Sequence, residues 1–220
     1  MEKKTIADTK FWKFVNLAGN AIGLNLIFLV CCLPVVTIGP ALCGLYSGVR
    51  YLIREDGWWG GFWKGFTTHW LRSAILGVLV VAFQAYTLWQ FNLALGFYLE
   101  SGSIYYAILY GIMALIPALL TASLWPLNIY IPYSTADWLR ASVSLVFSDP
   151  IPVLLASGLF LLPVVLALFL TQWAYYGLII ILAVYFALAA FVATLFYKDS
   201  LVVLLKAYRA EHPEDEDHQA

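Results

Sequence analysis

Charged residues are absent from four long stretches of the chain, 14–49, 73–99, 101–136 and 150–197, and crowd into the segments between them. Each stretch exceeds the ~20 apolar residues an α-helix needs to cross ~30 Å of hydrocarbon. Within them the pattern predicts helices at 14–33, 40–54, 73–97, 103–130, 150–171 and 173–197. The implied fold class is all-α: a polytopic transmembrane helical bundle with a broken first hairpin and four further spans.

The first stretch is interrupted. Pro34 lacks an N–H and clashes with the turn before it, so no helix runs straight through. Gly39–Pro40 then restarts one, with proline in the first turn where a missing donor costs least. Lysines precede this stretch and Arg50 follows it, so the chain is expected to enter the membrane, turn at the interruption and come back. The return arm, 40–54, covers only about 22 Å, which suits either a short or tilted span or a re-entrant arm shielded by neighbouring helices. Gly44 and Gly48 on this arm make a Gly-x-x-x-Gly pair, the spacing of a close helix-packing seam within the protein or, alternatively, between two copies.

Two polar connections carry amphipathic signals. In "GWWGGFWKGFTTHWLR", Trp58, Trp59, Phe62, Trp63, Phe66 and Trp70 recur at helical spacing, with Lys64, Thr67, Thr68 and Arg72 placed for water. An aromatic stripe with basic partners suits a helix at headgroup level. In "STADWLRASVSLVFSDP", Asp137, Arg140, Ser144 and Ser148 mark one face and Leu139, Val143, Val146 and Phe147 another. Asp137 and Arg140 are spaced for an i, i+3 ion pair, and Asp149–Pro150 reads as the boundary before the next span. Both connections contain the triplet Trp-Leu-Arg, at 70–72 and 138–140, a weak hint of a parallel repeat.

Composition closes off the soluble alternative. With 63% hydrophobic and 11% charged residues, the chain has too little polar surface to cover a globular exterior in water. The basic residues also sort by side. Lys3, Lys4, Lys10 and Lys13 precede the first span, and Arg50, Arg54, Lys64 and Arg72 follow it. Arg140 lies in the 131–149 connection and Lys198, Lys206 and Arg209 follow the last span, whereas the turns near Glu100 and at 171–173 carry none. If basic loops stay inside, both termini, 50–72 and 131–149 are cytoplasmic, in the cytoplasmic membrane. The first basic cluster reads as the flank of an uncleaved span. Residues 1–205 form one membrane domain, and the acidic 206–220 a disordered cytoplasmic tail.

Candidate chemistry is sparse. Cys31, Cys32 and Cys43 lie in the first stretch without metal spacing and read as small packing residues. No ionisable residue falls well inside a predicted span, and the intramembrane polar groups, Asn20, Asn25, Thr37, Gln84, Gln90, Asn92, Thr121, Ser123 and Asn128, are expected to hydrogen-bond between helices. A sharper alternative has Gln84, Gln90, Asn92 and Asn128 line a polar cavity for a neutral solute. His69 has no local carboxylate or nucleophile to work with, and phosphate-loop, His-Glu-x-x-His and Gly-x-Ser-x-Gly patterns are missing. No catalytic, cofactor or metal residue is assigned, and the protein is expected not to be an enzyme. The lipid bilayer is the expected partner; nucleic acid is not expected, because no basic face with interleaved aromatics extends beyond the membrane. Lys64, Arg72, Trp138 and Arg140 are the candidate cytoplasmic contacts to lipid headgroups or a protein partner.

The run "NLIFLVCCLPVVTIGPALCGLYSGVRYLIRED", residues 25–56, resembles the start of the YesL-like family of bacterial integral membrane proteins. The core of that resemblance is Leu33, Pro34, Val35, Val36, Thr37, Ile38, Gly39 and Pro40, and the "GFWKGFTTHWLRSAILG" and "ADWLRASVSLVFSDPIP" segments are similar to the downstream parts of family members. The family is a domain of unknown function whose members are associated with carbohydrate ABC transporters and polysaccharide degradation. The resemblance therefore implies a non-enzymatic accessory or regulatory component of carbohydrate uptake, with transporter components or a signalling protein as partners. This chain has neither a nucleotide-binding motif nor an importer permease's Glu-Ala-Ala-type loop, so it is expected to be neither subunit. Two other readings stand beside this one. A small neutral-solute transporter or channel would use Thr37, Gly39 and the Pro34–Pro40 break as its site. An enzyme acting on lipid-linked sugars would have only Asp137 and Asp149 available as surface acids, and these are not spaced as a pair.

Overall fold

The computed structural model describes residues 10–101, 104–130, 134–169, 185–197, 200–204 and 206. Eight helices of ten residues or more carry most of these residues: α1 (Lys10–Cys31), α2 (Ile38–Ile53), α3 (Trp58–Thr67), α4 (Trp70–Ser101), α5 (Tyr105–Tyr130), α6 (Thr135–Ser148), α7 (Pro150–Phe169) and α8 (Tyr185–Tyr197), and 200–204 is helical as well. No strand occurs among the described residues. The expected turn near 171–173 and the acidic tail beyond Lys206 lie outside them.

Three helical segments are long and apolar enough to cross a membrane: Val35–Ile53, Trp70–Tyr98 and Ile108–Asn128. A fourth arises if the bent pair Thr135–Ser148 and Pro150–Phe160, which turns by 105°, counts as one span. Val15–Cys31 and Tyr185–Tyr197 are shorter apolar helices. The chain is thus an all-helical protein built for a membrane.

α2 is the centre of the bundle, with most of its residues buried and with α1, α3, α4 and α5 packed around it. The helix that comes after it is broken but keeps its register. Gly61 meets Tyr51, Gly65 meets Ser47 and Cys43, and Ser73 and Gly77 meet Gly39. Those pairings run antiparallel, so α3 and the start of α4 form one interrupted partner along the whole of α2. Small residues every four positions make this possible, because lipid offers no hydrophobic drive and helix contact depends on close van der Waals packing. The interruption falls at Thr68 and His69. Thr67 Oγ1 donates to the Trp63 carbonyl at 2.9 Å and Thr68 Oγ1 to the Lys64 carbonyl at 2.6 Å, which also accepts the Thr68 N–H at 3.1 Å, so both hydroxyls fold back onto the last turn of α3. His69 then takes a left-handed φ of 52° before α4 begins.

Single polar contacts tie the outer helices on. Asn25, fully buried on α1, accepts the Ala187 N–H of α8 at 2.9 Å. Trp58 Nε1 of α3 donates to Asn20 Oδ1 of α1 at 3.1 Å, and Tyr185 of α8 donates to the Leu159 carbonyl of α7 at 2.6 Å. At the α6–α7 corner Asp149 adopts φ −133° and ψ 70°, the non-helical backbone that a following proline demands.

Candidate functional site

The resemblance-bearing motif is a turn that docks. Pro34 is extended (φ −78°, ψ 125°) and opens a single 3₁₀ turn over Val35–Thr37. The Thr37 hydroxyl points between two carbonyls, donating to Cys31 O and to Pro34 O, so the end of α1 and the turn share one proton. Leu33 at the tip is 80% exposed, whereas Gly39 and Pro40 are buried. A Cβ on Gly39 would fall on the Ser73 carbonyl oxygen, and one on Gly77 would stand 2.7 Å from the Gly39 Cα. Thr37 and Gly39 are therefore occupied by the protein's own backbone.

Gly44 and Gly48 face two different neighbours. Gly44 lies under the Phe62 ring of α3, where a Cβ would come within 2.8 Å, and Gly48 lies against Leu24 of α1. The nearest backbone approaches belong instead to Gly39 against Ser73 and Gly77, and to Gly65 against Cys43 and Ser47. The pattern that marks them, Gly61, Gly65, Ser73 and Gly77 against Gly39, Cys43 and Ser47, is a four-residue period of small side chains. It is visible in the sequence once the two helices are paired.

Where α4 begins and α5 ends, a polar cluster closes the bundle. Asn128 Nδ2 donates to Cys43 Sγ at 3.0 Å and Ser73 Oγ at 3.2 Å, and its Oδ1 accepts from Arg72 Nη2 at 2.6 Å. The Arg72 guanidinium carbon sits 4.6 Å from the centre of the Trp138 ring, a cation–π contact between α4 and α6. Trp138 is fully buried, donates Nε1 to the Leu124 carbonyl at 2.7 Å and stacks edge-on to Trp125. Four helices, α2, α4, α5 and α6, thus meet on one asparagine and one arginine. Arg72 and Trp138, expected to point outward as contacts, instead pair with each other. The two Trp-Leu-Arg triplets also differ in setting, since Trp70 and Arg140 are exposed while Arg72 and Trp138 turn inward. Partial burial, and then the Arg72 charge, hold His69 below the usual imidazole range, so Arg72 carries the positive charge here at neutral pH.

Lys64 and Arg140 do point outward. Arg140 is 83% exposed and lies 3.8 Å from Asp137, the i, i+3 pair expected from spacing. Ser134 caps α6 by accepting the Asp137 N–H at 3.3 Å. Lys64 stands at a cavity of about 290 Å³ between α2 and α3. The four amides proposed for one solute cavity do not converge. Asn128 lines this cavity, Gln84 lines a separate apolar one of about 420 Å³ beneath the α1–α2 turn, Gln90 bonds Tyr86 on its own helix, and Asn92 is exposed.

Neither a curated protein nor a solved structure matches this chain. Residues 21–93, which hold the docked turn, the α2–α3 pairing, Arg72 and the first three quarters of α4, are similar to the family described as protein of unknown function, DUF624.

Proposed function

We propose that the protein is a multi-pass component of the bacterial cytoplasmic membrane, YesL-like, acting without catalysis of its own as an accessory or regulatory element of carbohydrate uptake. Both termini and the α3 and α6 faces lie on the cytoplasmic side in this reading, and six apolar segments cross or enter the bilayer. The observation that carries it is the Arg72–Asn128–Trp138 latch. It fixes α6 beside the start of α4 and the end of α5 as a presented surface and leaves Lys64 and Arg140 on exposed faces toward a partner or headgroups. The form of α6 supports an interfacial position. It makes a 105° corner with α7, buries Trp138, Ser142 and Leu145, and exposes Leu139, Val143 and Phe147 beside Arg140, Ser144 and Ser148. One side thus meets the bundle, one suits lipid and one suits water. The link to carbohydrate uptake comes from the resemblance over residues 25–56.

The experiment is purification from native membranes in mild detergent, with mass spectrometry of what accompanies the protein. Carbohydrate-transporter subunits or a signalling protein are expected at defined stoichiometry, and their recovery falls in Arg140→Gln, alone and with Lys64→Gln, at unchanged abundance. A partner-free protein overturns the accessory reading and turns attention to transport by this chain itself.

A further inference from the structure

The cavity between α2 and α3 is lined by Ser47, Arg50, Tyr51, Arg54, Lys64, Gly65, Thr68 and Asn128. We propose that it is a binding site for a phosphate group, which it holds between Arg50, Arg54 and Lys64. The first four lining residues fall at i, i+3, i+4 and i+7 on α2, so they share one helix face. Lys64, Gly65 and Thr68 look back from α3. Gly65 brings the two backbones together, since a Cβ there would stand 2.6 Å from the Cys43 carbonyl oxygen. The buried Asn128 forms one wall, with Arg72 bonded to its far side.

The lining holds three cations and no carboxylate. Glu55 and Asp56, next in the chain after Arg54, line a different cavity with Asn16 and Asn20. Among the described residues neither Arg54 nor Lys64 makes an ion pair. Gathering like charges in a cleft with low-dielectric walls raises the local potential and concentrates anions there. Arginine forks bind phosphate oxygens bidentately, and lysine adds a point charge. At about 290 Å³ the cavity lies at the small end of ligand sites, which fits a phosphate with a compact substituent. A soluble phosphomonoester and the headgroup phosphate of a membrane lipid offer the same chemistry. This assignment does not depend on the accessory role proposed above.

Two measurements on the full-length protein separate those sources. Binding of inorganic phosphate is titrated in nanodiscs of phosphatidylcholine, and native mass spectrometry reads retention of phosphatidylglycerol after detergent extraction. Phosphate binding in the first identifies a soluble ligand; lipid retention without it identifies a headgroup. In either case Arg54→Gln with Lys64→Gln is expected to weaken the interaction about tenfold or more, while Lys206→Gln, at an exposed cation outside the cavity, leaves it within twofold. Absence of both signals, or equal signals in wild type and the double variant, overturns the site. Should the double variant fail to fold, acylation of Lys64 in the wild-type protein decides. Phosphate slows it relative to chloride at equal ionic strength if the site exists, and equal rates overturn it.

Discussion

Adjacent glycines on α3 have opposite duties. A Cβ on Gly60 meets nothing within 4 Å, whereas one on Gly61 would come within 2.5 Å of the Tyr51 side chain. Gly39 is more constrained still, because the atom in the way is the Ser73 carbonyl oxygen, which no rotamer change removes. Gly60→Ala is therefore expected to be neutral or to stabilise by about 0.5–1 kcal/mol, through the helix entropy a glycine forfeits. Gly39→Ala forces the backbones of α2 and α4 apart and is expected to cost about 1–3 kcal/mol or more. Unfolding of both variants in detergent micelles checks this. A Gly39→Ala protein as stable as wild type refutes the close approach. Composition and local pattern do not distinguish these glycines, because the difference lies in what another helix places opposite them. The same applies to Glu55, whose φ of 61° completes the end of α2, where the Asp56 N–H reaches the Tyr51 carbonyl at 2.9 Å and the Glu55 N–H the Leu52 carbonyl at 3.2 Å.

Helices are the level at which the sequence reads best and misleads most. Apolar length and the punctuation at Pro34, Gly39–Pro40 and Asp149–Pro150 locate α1, α2, α4, α5 and α7 to within a few residues, since hydrocarbon thickness and proline chemistry act locally. The direction of Arg72 is different. A cation at the edge of an apolar run reads as outward-facing, and only α5 and α6 supply the amide and the indole ring that turn it inward. Arg72→Gln and Trp138→Leu are each expected to destabilise the protein. Their double-mutant cycle should show a coupling of about 0.5–2 kcal/mol, the range for a partly desolvated cation–π pair. Thermal melts of wild type, the two single variants and the double variant measure it. Strictly additive effects refute the Arg72–Trp138 contact as part of what holds α6.

At the scale of the molecule, the α1–α2 turn lies beside the first half of α4. The α1–α2 turn shares its cavity with Gly77, Val80, Val81 and Gln84, in the first half of α4. From Gln84, α4 continues about 25 Å to its end at Ser101. If α4 and α5 cross the full bilayer, the α1–α2 tip is expected to stop short of the far surface, the re-entrant one of the two forms open to the return arm. In a background without Cys31, Cys32 and Cys43, Tyr105→Cys is expected to react with an impermeant thiol reagent from outside. Leu33→Cys is expected to resist it, although both native side chains are more than three-quarters exposed on the protein, because lipid covers the tip. Equal labelling refutes the depth difference and makes the first hairpin a full crossing.

Charge-free length, proline placement and total hydrophobicity determine by themselves that this chain is helical, enters a membrane and turns after Cys32, because each acts on a few consecutive residues or on the whole composition at once. The tertiary structure alone decides that Thr37 and Gly39 serve the turn, that Gly44 and Gly48 face different helices, and that Arg72 is latched inward while Arg140 stays on an exposed face beside Asp137. It also brings Arg50 and Arg54 of α2 opposite Lys64 of α3. The physical reason is common to all four. Close packing and charge convergence depend on which residue a second helix sets across the gap, and the pattern along one helix carries no record of its neighbour.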